Sequence, residues 1–427
     1  MNLKKRILLS GFMFSIILSM YGQRYSDWFT NDVLRVDLTH AGDARNENYF
    51  PEAFLQEEHW AGAYTKLLDK TNYGDNFLEV YDSLSQTLIY SRGYNNLFYE
   101  WQETAEAKNT TRSFEEVIRL PFPQKTVQIK LYRRLKNGTL SLLEHFYVNP
   151  KSYRIAKGQK YHFATEKIRG ELPSNKAVDV VLIAEGYTKQ EMAIFKQDAK
   201  KLSDFLLSTE PFIQVKEQFN IWIVLSESEE SGTDIPGQHI WKNTLLDAHF
   251  YTFNSERYLT SQSIKKIHDV ASLVPYDQVY VLVNSKKYGG GGIFNYYNLT
   301  STHHDLSPWV FIHEFGHGFA GLADEYYDSS TSFNDMYDLH TEPWRPNITT
   351  LVAPEKKWKN KIKKTTPIPT PATEQYKNEI GFYEGGGYVA KGIYRPYQTC
   401  EMKALQQGFC PICQDAILKM VKFYCDE

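Results

Sequence analysis

One short stretch carries the residues best suited to catalysis, His313-Glu314-Phe315-Gly316-His317. Residues four apart share one face of a helix, so His313 and His317 can both point a ring nitrogen at one metal ion. Glu314 lies beside the first histidine, where it can take the proton of a metal-activated water. The pattern predicts a Zn²⁺ site of the kind found in metallopeptidases, with Glu314 as the general base.

A third protein ligand must come from outside this motif, because catalytic zinc sites use three protein ligands and keep one position open. Gly321 can end the helix in a left-handed conformation and turn the chain back towards the histidines. Asp324 then lies where a short loop could deliver a carboxylate oxygen, and we predict it as the third ligand. Its neighbour Glu325 is a competitor, and a distant Glu374 or Glu379 would be the solution of a different peptidase class.

Tyr326 follows these carboxylates directly and is the second candidate catalytic residue. Its hydroxyl could donate a hydrogen bond to the oxyanion that develops during hydrolysis of a peptide bond. The alternative is an aromatic side chain packed at the surface, and the residue type alone does not separate the two roles.

The helix that must carry the histidines has recognisable ends. Ser307 is a suitable N-cap and Pro308 fits the first turn, so we predict a helix that runs from there to Gly321. Before it, four consecutive glycines at 289–292 lead into residues 293–298, which we interpret as an exposed edge strand. An edge strand beside a peptidase site can bind an extended peptide as one more strand.

Strand and helix patterns alternate upstream of this helix. Residues 178–184 are almost all apolar, which is typical of a strand buried on both faces, and Thr188 and Glu191 form a capping box. Further strands are predicted at residues 219–225 and 277–284, and a further helix at residues 261–273. This order predicts an α/β domain over residues 161–427 with a mostly parallel sheet.

Residues 23–160 have a different pattern, in which apolar and polar residues alternate. The clearest unit is a hairpin in which Asn137-Gly138 separates two alternating runs. We predict a smaller antiparallel β-sandwich domain, with helical material at residues 51–68 and a linker at residues 149–160.

The motif at residues 313–317, together with Gly321 and Asp324-Glu325-Tyr326, resembles the IgA-peptidase (igalysin) family of bacterial zinc metallopeptidases. Residues 182–187 and 226–236 look like other signature stretches of that family. The N-terminal part of the chain resembles the companion domain that such proteins often carry.

The resemblance implies a metzincin-like catalytic fold with Zn²⁺ on His313, His317 and Asp324, and Glu314 as the general base. It also implies a methionine-containing turn under the metal, for which Met402 is the match. The glycine and the third ligand come one residue later than the usual metzincin spacing, which fits the igalysin pattern. The substrate implied is a protein or glycoprotein, and cleavage of immunoglobulin A does not follow from these residues.

The first 22 residues have the pattern of a secretory signal peptide. Lys4, Lys5 and Arg6 precede an apolar run at residues 7–21, and Gly22 offers a small residue for cleavage. We predict export to the periplasm, the cell surface or the medium, with no transmembrane segment after the signal is removed. A retained membrane anchor is the alternative, although the run is short for a span.

The charge balance disfavours one class of partner. The chain has 48 basic and 51 acidic side chains, a net charge of −3, and no basic stripe. Nucleic-acid binding needs a positive face, so we do not expect it. The 30 tyrosines are compatible with a rival function, an exported binding protein whose metal site is catalytically idle. Glu314 argues against that function, because a structural metal site needs no base.

Two features near the C-terminus keep alternatives open. Cys400, Cys410, Cys413 and Cys425 lie close together in sequence, and disulfide bonds are the expectation for an exported chain. The spacing of Cys410 and Cys413 would also suit a thiolate zinc site or a redox pair. A latent enzyme is a further possibility, in which His340 or acidic residues near Asp335 would cover the cleft.

Overall fold

The computed structural model describes residues 24–327 and 337–426, so the predicted signal peptide at residues 1–22 lies outside the described residues. The strands of the N-terminal part are β1 (Phe29–Gly42), β2 (Glu47–Glu57), β3 (Asn76–Asp82), β4 (Leu88–Tyr94), β5 (Arg112–Pro123), β6 (Val127–Arg134), β7 (Leu140–Val148) and β8 (Ile155–Lys157). Two short helices accompany them, α1 (Tyr25–Trp28) and α2 (Leu97–Gln102).

These strands form two four-stranded sheets, ordered β5-β1-β2-β8 and β4-β3-β6-β7. Neighbouring strands are antiparallel, except that β8 runs parallel to β2. Side chains from both sheets share one apolar core, which includes Leu34, Val36, Leu78, Val80 and Ile129. The predicted N-terminal domain of antiparallel strands is therefore confirmed.

Local predictions for this part had mixed outcomes. The predicted hairpin is present as β6 and β7, and Gly138 at its turn has a φ of +82°. The helix predicted within residues 51–68 is wrong, because β2 continues through Pro51 to Glu57. Pro51 is tolerated because it lies opposite Leu38 at a bulge in the pairing with β1. The predicted linker contains β8, which pairs with β2.

The C-terminal part contains a six-stranded sheet, whose strands are β9 (Thr165–Arg169), β10 (Val178–Glu185), β11 (Phe219–Val224), β12 (Gln278–Val283), β13 (Gly290–Ile293) and β14 (Tyr297–Ser301). Their order is β13-β14-β12-β10-β11-β9. The central pairs β10–β11, β10–β12 and β12–β14 are parallel, whereas the edge strands β9 and β13 are antiparallel to their neighbours. The sheet is therefore mixed. A hairpin of β15 (Tyr383–Gly386) and β16 (Val389–Arg395) follows later in the chain.

Helices cover both faces of the six-stranded sheet. They are α3 (Met192–Ser208), α4 (Ile264–Ala271), α5 (Ser307–Ala320) and α6 (Pro411–Tyr424). Val180 and Leu182 of β10 belong to a core with α3, α5 and α6, and Val181 and Ile183 belong to a core with α4. Both faces of β10 are thus buried, as its apolar sequence predicts. Among the described residues, no helix combines the length and the apolar character that a bilayer span requires.

The edge strand of the sheet differs from the prediction. It is β13, formed by the glycines themselves and ending at Ile293, whereas residues 297–301 form the inner strand β14. The glycines allow a close approach to α5, because a methyl group on Gly292 would lie 2.3 Å from the carbonyl oxygen of Glu314. Leu259 N–H already donates to the Gly290 carbonyl at 3.2 Å, so part of the outer edge is paired within the chain.

The N-terminal part also packs against the six-stranded sheet and its helices. Phe98 and Trp101 of α2 share the core that contains α4. The guanidinium of Arg35, 1% exposed, contacts carboxylate oxygens of Asp37 at 2.6 Å and of Asp269 in α4 at 2.7 Å. Trp344 donates its indole N–H to Asp75 at 2.8 Å. These buried contacts fix the two parts of the chain against each other.

Candidate metal centre

The motif helix α5 begins at Ser307, with Pro308 in its first turn as predicted. The N-cap is Leu306 rather than Ser307, and the hydroxyl of Ser307 instead accepts the N–H of His304 at 3.1 Å. Gly321 ends the helix with a φ of +63°, in the left-handed conformation that the sequence predicts. The chain therefore reverses direction at Gly321, one helical turn after His317.

His313 and His317 lie on the same face of α5. Their Nε2 atoms are 3.1 Å apart. The Nδ1 atom of His313 lies 3.0 Å from the Glu401 carbonyl, and that of His317 lies 2.7 Å from the Leu322 carbonyl. A backbone carbonyl can only accept a hydrogen bond, so each Nδ1 carries the N–H. The neutral imidazoles then keep their Nε2 lone pairs for a metal ion.

Asp324 returns to these histidines after the turn at Gly321. Its Oδ1 atom lies 3.2 Å from Nε2 of His313 and 3.3 Å from Nε2 of His317. The Tyr388 hydroxyl donates to the other oxygen, Oδ2. Burial favours a neutral Asp324. The positive charges of His317 and His313 in their protonated forms, together with their hydrogen bonds, outweigh burial and hold the pKa of this carboxyl well below its ordinary value.

The three side chains fit one metal ion. Ligand atoms about 2.0–2.1 Å from a tetrahedral zinc ion lie about 3.3 Å from one another, which matches the observed triangle of His313, His317 and Asp324. Asp324 Oδ1 is buried and has no hydrogen-bond partner of good geometry, so it is available as a ligand. Two imidazoles and a carboxylate suit Zn²⁺ and several other divalent transition metals.

Glu314 lies next to this triangle in the wall of a cleft of about 320 Å³. It approaches β13 so closely that a methyl group on Gly290 would lie 2.7 Å from Glu314 Oε1. Burial raises the pKa of Glu314, and the charges of His313 and His317 oppose that increase. The side chain is thus placed beside the candidate metal ligands and is more basic than an exposed glutamate.

The alternative third ligands lie elsewhere. Glu325 is fully buried and turned to the opposite side, where its Oε1 accepts from Asn347 at 2.9 Å. Glu379 pairs with Lys363 at 2.7 Å, and the side chain of Glu374 is 86% exposed. Among the described residues, Asp324 is thus the carboxylate that the structure groups with the two histidines.

Tyr326 lines the same cleft, and its hydroxyl accepts from the Arg257 guanidinium at 3.4 Å. Its ring contacts that of Tyr388 at 5.3 Å. Burial and the charge of Asp324 raise the pKa of both phenols well above the ordinary value, so both remain hydrogen-bond donors at neutral pH. Sequence analysis missed Tyr388; the glycines at residues 385–387 and a φ of +66° mark it as a turn residue.

Met402 is completely buried behind the motif helix. A methyl group on Gly316 would lie 3.0 Å from Met402 Sδ, so the two elements are in close contact there. The Met402 carbonyl accepts the N–H of Glu325 at 2.8 Å. The preceding residue, Glu401, supplies the carbonyl that orients His313. The segment around Met402 thus supports both the helix and the loop that carries Asp324.

Glu100 is a cleft residue that sequence analysis missed entirely. It comes from α2 in the N-terminal part of the chain and lines the cleft that contains the candidate ligands. The Tyr258 hydroxyl donates to it. Burial raises the pKa of Glu100 to about 7. No sequence signal links this position to the motif, because the two lie more than two hundred residues apart.

The residues considered for latency do not cover the cleft within the described part of the chain. His340 is exposed and lines a separate surface groove. Asp335 lies outside the described residues.

The expectation of disulfide bonds is wrong for this structure. All four cysteines are free thiols, and all are buried. Cys400, Cys410 and Cys413 converge with Glu325 instead of pairing, and the sulfur atoms of Cys400 and Cys413 are 3.6 Å apart. A disulfide bond requires about 2.0 Å between sulfur atoms.

Comparison with known families covers nearly the whole described chain. Residues 167–379 and 372–421 match the family described as IgA Peptidase M64, and residues 24–144 match the family described as Peptidase M64 N-terminus. No curated protein matches the chain. The two family matches follow each other in the order of the two parts of the structure. The chain belongs to the IgA peptidase M64 family and is a peptidase.

Proposed function

We propose that this peptidase is a zinc-dependent endopeptidase in which His313, His317 and Asp324 hold the metal and Glu314 is the general base. The observation that carries the proposal is the triangle of two Nε2 atoms and one carboxylate oxygen, with sides of 3.1, 3.2 and 3.3 Å. These sides suit Zn²⁺ coordination, and each histidine is oriented by a backbone carbonyl.

When bound, the ion would polarise the scissile carbonyl and lower the pKa of the attacking water. Glu314 takes the proton of that water and later donates it to the leaving amine. Its position in the cleft wall and its raised pKa support this assignment, because a base is most effective when its pKa approaches the working pH. An idle binding protein would have no use for a base at this position.

Tyr326 is the proposed donor to the oxyanion. Its phenol lies in the cleft and is protonated at neutral pH, as a hydrogen-bond donor must be. Arg257, whose guanidinium donates to the Tyr326 hydroxyl, orients the side chain and adds positive charge. Tyr388 has a different task, because its hydroxyl donates to Asp324 and holds that carboxylate towards the histidines.

The domain organisation belongs to the same proposal. A signal peptide at residues 1–22 would direct export, an accessory β-sandwich would span residues 23–160, and a metzincin-like α/β catalytic domain with a Met402 turn would span residues 161–427. The parallel central strand pairs of the six-stranded sheet and the position of Met402 behind α5 support the metzincin-like fold. The substrate is a protein or glycoprotein, bound as an extended segment near Gly292 of β13, which lines the cleft.

Metal removal and reconstitution test this proposal. A zinc chelator should abolish cleavage of a peptide library by the purified protein, and added Zn²⁺ should restore it. Metal content is measured by mass spectrometry at each step. Full cleavage by protein shown to contain no metal would overturn the proposal.

A further inference from the structure

A second cluster of potential metal ligands lies apart from the candidate metal centre. It consists of the thiols of Cys400, Cys410 and Cys413 and the carboxylate of Glu325, whose ligand atoms all lie within 4.8 Å of one another. All four side chains are buried, with exposures between 0% and 4%. Two residue types known as metal ligands, cysteine and glutamate, thus come together from three separate segments: the loop after α5, the segment before Met402 and the start of α6.

The distances within the cluster fit a tetrahedral ion. Sulfur atoms about 2.3 Å from a zinc ion lie about 3.8 Å apart, and a sulfur and a carboxylate oxygen lie about 3.5 Å apart. The observed separations are 3.6 Å between Cys400 Sγ and Cys413 Sγ, and 3.3 Å between Cys413 Sγ and Glu325 Oε1.

Glu325 provides an independent indication. Its Oε2 atom is buried and has no hydrogen-bond partner, although the side chain is completely inaccessible to water. An unpaired buried carboxylate oxygen costs free energy unless a cation or a donor balances it. Asn347 donates to the other oxygen, Oε1, at 2.9 Å and fixes the orientation of the group. The carboxylate is therefore held in place with Oε1 at 3.3 Å from Cys413 Sγ, and a cation bound there would also balance the unpaired Oε2.

The surroundings also suit thiolates. Cys410 and Cys413 lie at the N-terminus of α6, where the helix dipole stabilises negative charge. The backbone N–H of Cys410 donates to the sulfur of Cys400 at 3.3 Å. Arg395, 3% exposed, adds a buried positive charge that acts on Glu325. These groups would partly balance the net negative charge of three thiolates and a carboxylate around a divalent ion.

We propose that Cys400, Cys410, Cys413 and Glu325 form a closed structural Zn²⁺ site. Four protein ligands and complete burial leave no position for substrate, which is the property of a structural site. The site would join the segments that complete the metal centre, because Glu325 follows Asp324 and its N–H donates to the Met402 carbonyl. This inference is independent of the proposed peptidase mechanism.

Zinc content of the full chain and its variants tests the site. We expect two zinc ions per chain in the wild type, one in the His313→Ala/His317→Ala double variant, and one in the Cys410→Ser/Cys413→Ser double variant. Cys425→Ser is the matched control, because Cys425 is buried but lies outside the cluster, and it should retain both ions. One ion in the wild type that is lost in the histidine variant would overturn the structural site. One ion retained in the histidine variant and lost in the cysteine variant would support it and leave the peptidase centre without metal.

A measurement without cysteine substitutions covers the case in which the cysteine variant does not fold. X-ray absorption of the zinc in the His313→Ala/His317→Ala protein should show sulfur scatterers at about 2.3 Å. After denaturation in chelator without reductant, all four cysteines should react as free thiols. Only two reactive thiols, with no sulfur around the metal, would mean that a disulfide bond occupies the cluster and would overturn the proposal.

Discussion

Tyr388 connects the candidate ligand Asp324 to the rest of the protein. Its hydroxyl donates to the carboxylate oxygen that does not face the histidines. Partners of this kind orient metal ligands, and their loss typically lowers metal affinity about 10–100-fold. We therefore expect Tyr388→Phe to bind Zn²⁺ at the peptidase centre about 10–100-fold more weakly, as measured by competition with a chelator.

Tyr326→Phe is the matched control for that experiment. Its hydroxyl accepts from Arg257, and its phenol is also influenced by Asp324, so zinc affinity should fall less than in Tyr388→Phe. The value of kcat should fall by roughly 10²–10³-fold if the phenol stabilises the oxyanion. Equal zinc affinity in Tyr388→Phe and the wild type would contradict the role of Tyr388.

Glu100 should make stability depend on pH. Its pKa is raised from 4.5 to about 7, chiefly by burial. Between these values the folded state binds more protons than the unfolded state, so the free energy of unfolding falls as the pH rises. Glu100→Gln keeps an acceptor for the Tyr258 hydroxyl and should remove this loss, which amounts to at most about 3 kcal/mol. Urea unfolding at about pH 5 and pH 8 measures the difference, and an identical pH dependence for both proteins would contradict the account.

For single residues, the sequence predicts the metal-binding motif but not the side chains that surround it in the cleft. The helical period already places His313 and His317 on one face, and Gly321 marks the turn that brings Asp324 back. Tyr388 and Glu100 come from distant segments, and only the packing of the whole chain brings them to the cleft. The sequence also does not predict that the cysteines are free thiols, because this depends on three distant segments that meet at Glu325.

The contact between β13 and α5 depends on glycine. A side chain on Gly292 would place its Cβ 2.3 Å from the carbonyl oxygen of Glu314. Gly292→Ala should therefore lower the free energy of unfolding by about 1–3 kcal/mol, because the strand and the helix must separate. Gly386→Ala is the control, since its nearest neighbours lie at 3.7 Å, and it should change stability by less than about 1 kcal/mol. Equal losses of unfolding free energy for Gly292→Ala and Gly386→Ala in urea would contradict the account, because the close approach of β13 to α5 would then not require glycine.

Elements with a strong pattern were predictable, and elements stabilised by long-range pairing were not. The apolar run of β10 and the Asn-Gly hairpin appear as expected, because burial on both faces and turn chemistry are local signals. The sequence predicts helical material at residues 51–68, yet pairing with β1 makes residues 51–57 a strand. The glycines at 290–292 look like a flexible loop by composition, but pairing with β14 and packing against α5 make them the edge strand.

The N-terminal and C-terminal parts are joined by buried charges. Arg35 of β1 contacts Asp37, Glu57 and Asp269, and the last of these belongs to α4. Arg35→Met would remove the guanidinium from Asp37 and would leave Glu57 and Asp269 with only Arg119 and Lys160 as partners. We therefore expect a loss of about 3–5 kcal/mol in unfolding free energy. Lys160→Met is the control, because Lys160 also pairs with Asp269 but is 62% exposed, and its loss should cost at most about 1 kcal/mol. A loss below 1 kcal/mol for Arg35→Met would mean that this interface contributes little.

The division into an N-terminal part of antiparallel strands and a C-terminal part of strands and helices follows from the sequence, because the apolar period changes between them. The mixed character of the C-terminal sheet was not predicted. The contacts between the two parts do not follow from the sequence, because nothing at Arg35, Asp75 or Glu100 indicates their distant partners. Glu100 shows the functional consequence, because this residue of the N-terminal part lines the cleft.

The central claim is that Glu314 acts as the base beside a metal ion held by His313, His317 and Asp324. The most direct test compares zinc content and kcat of Glu314→Gln and wild-type protein on the same peptide substrate. We predict unchanged zinc content and a kcat that falls by roughly 10²–10⁴-fold. Wild-type turnover by a Glu314→Gln protein with its zinc in place would contradict the account.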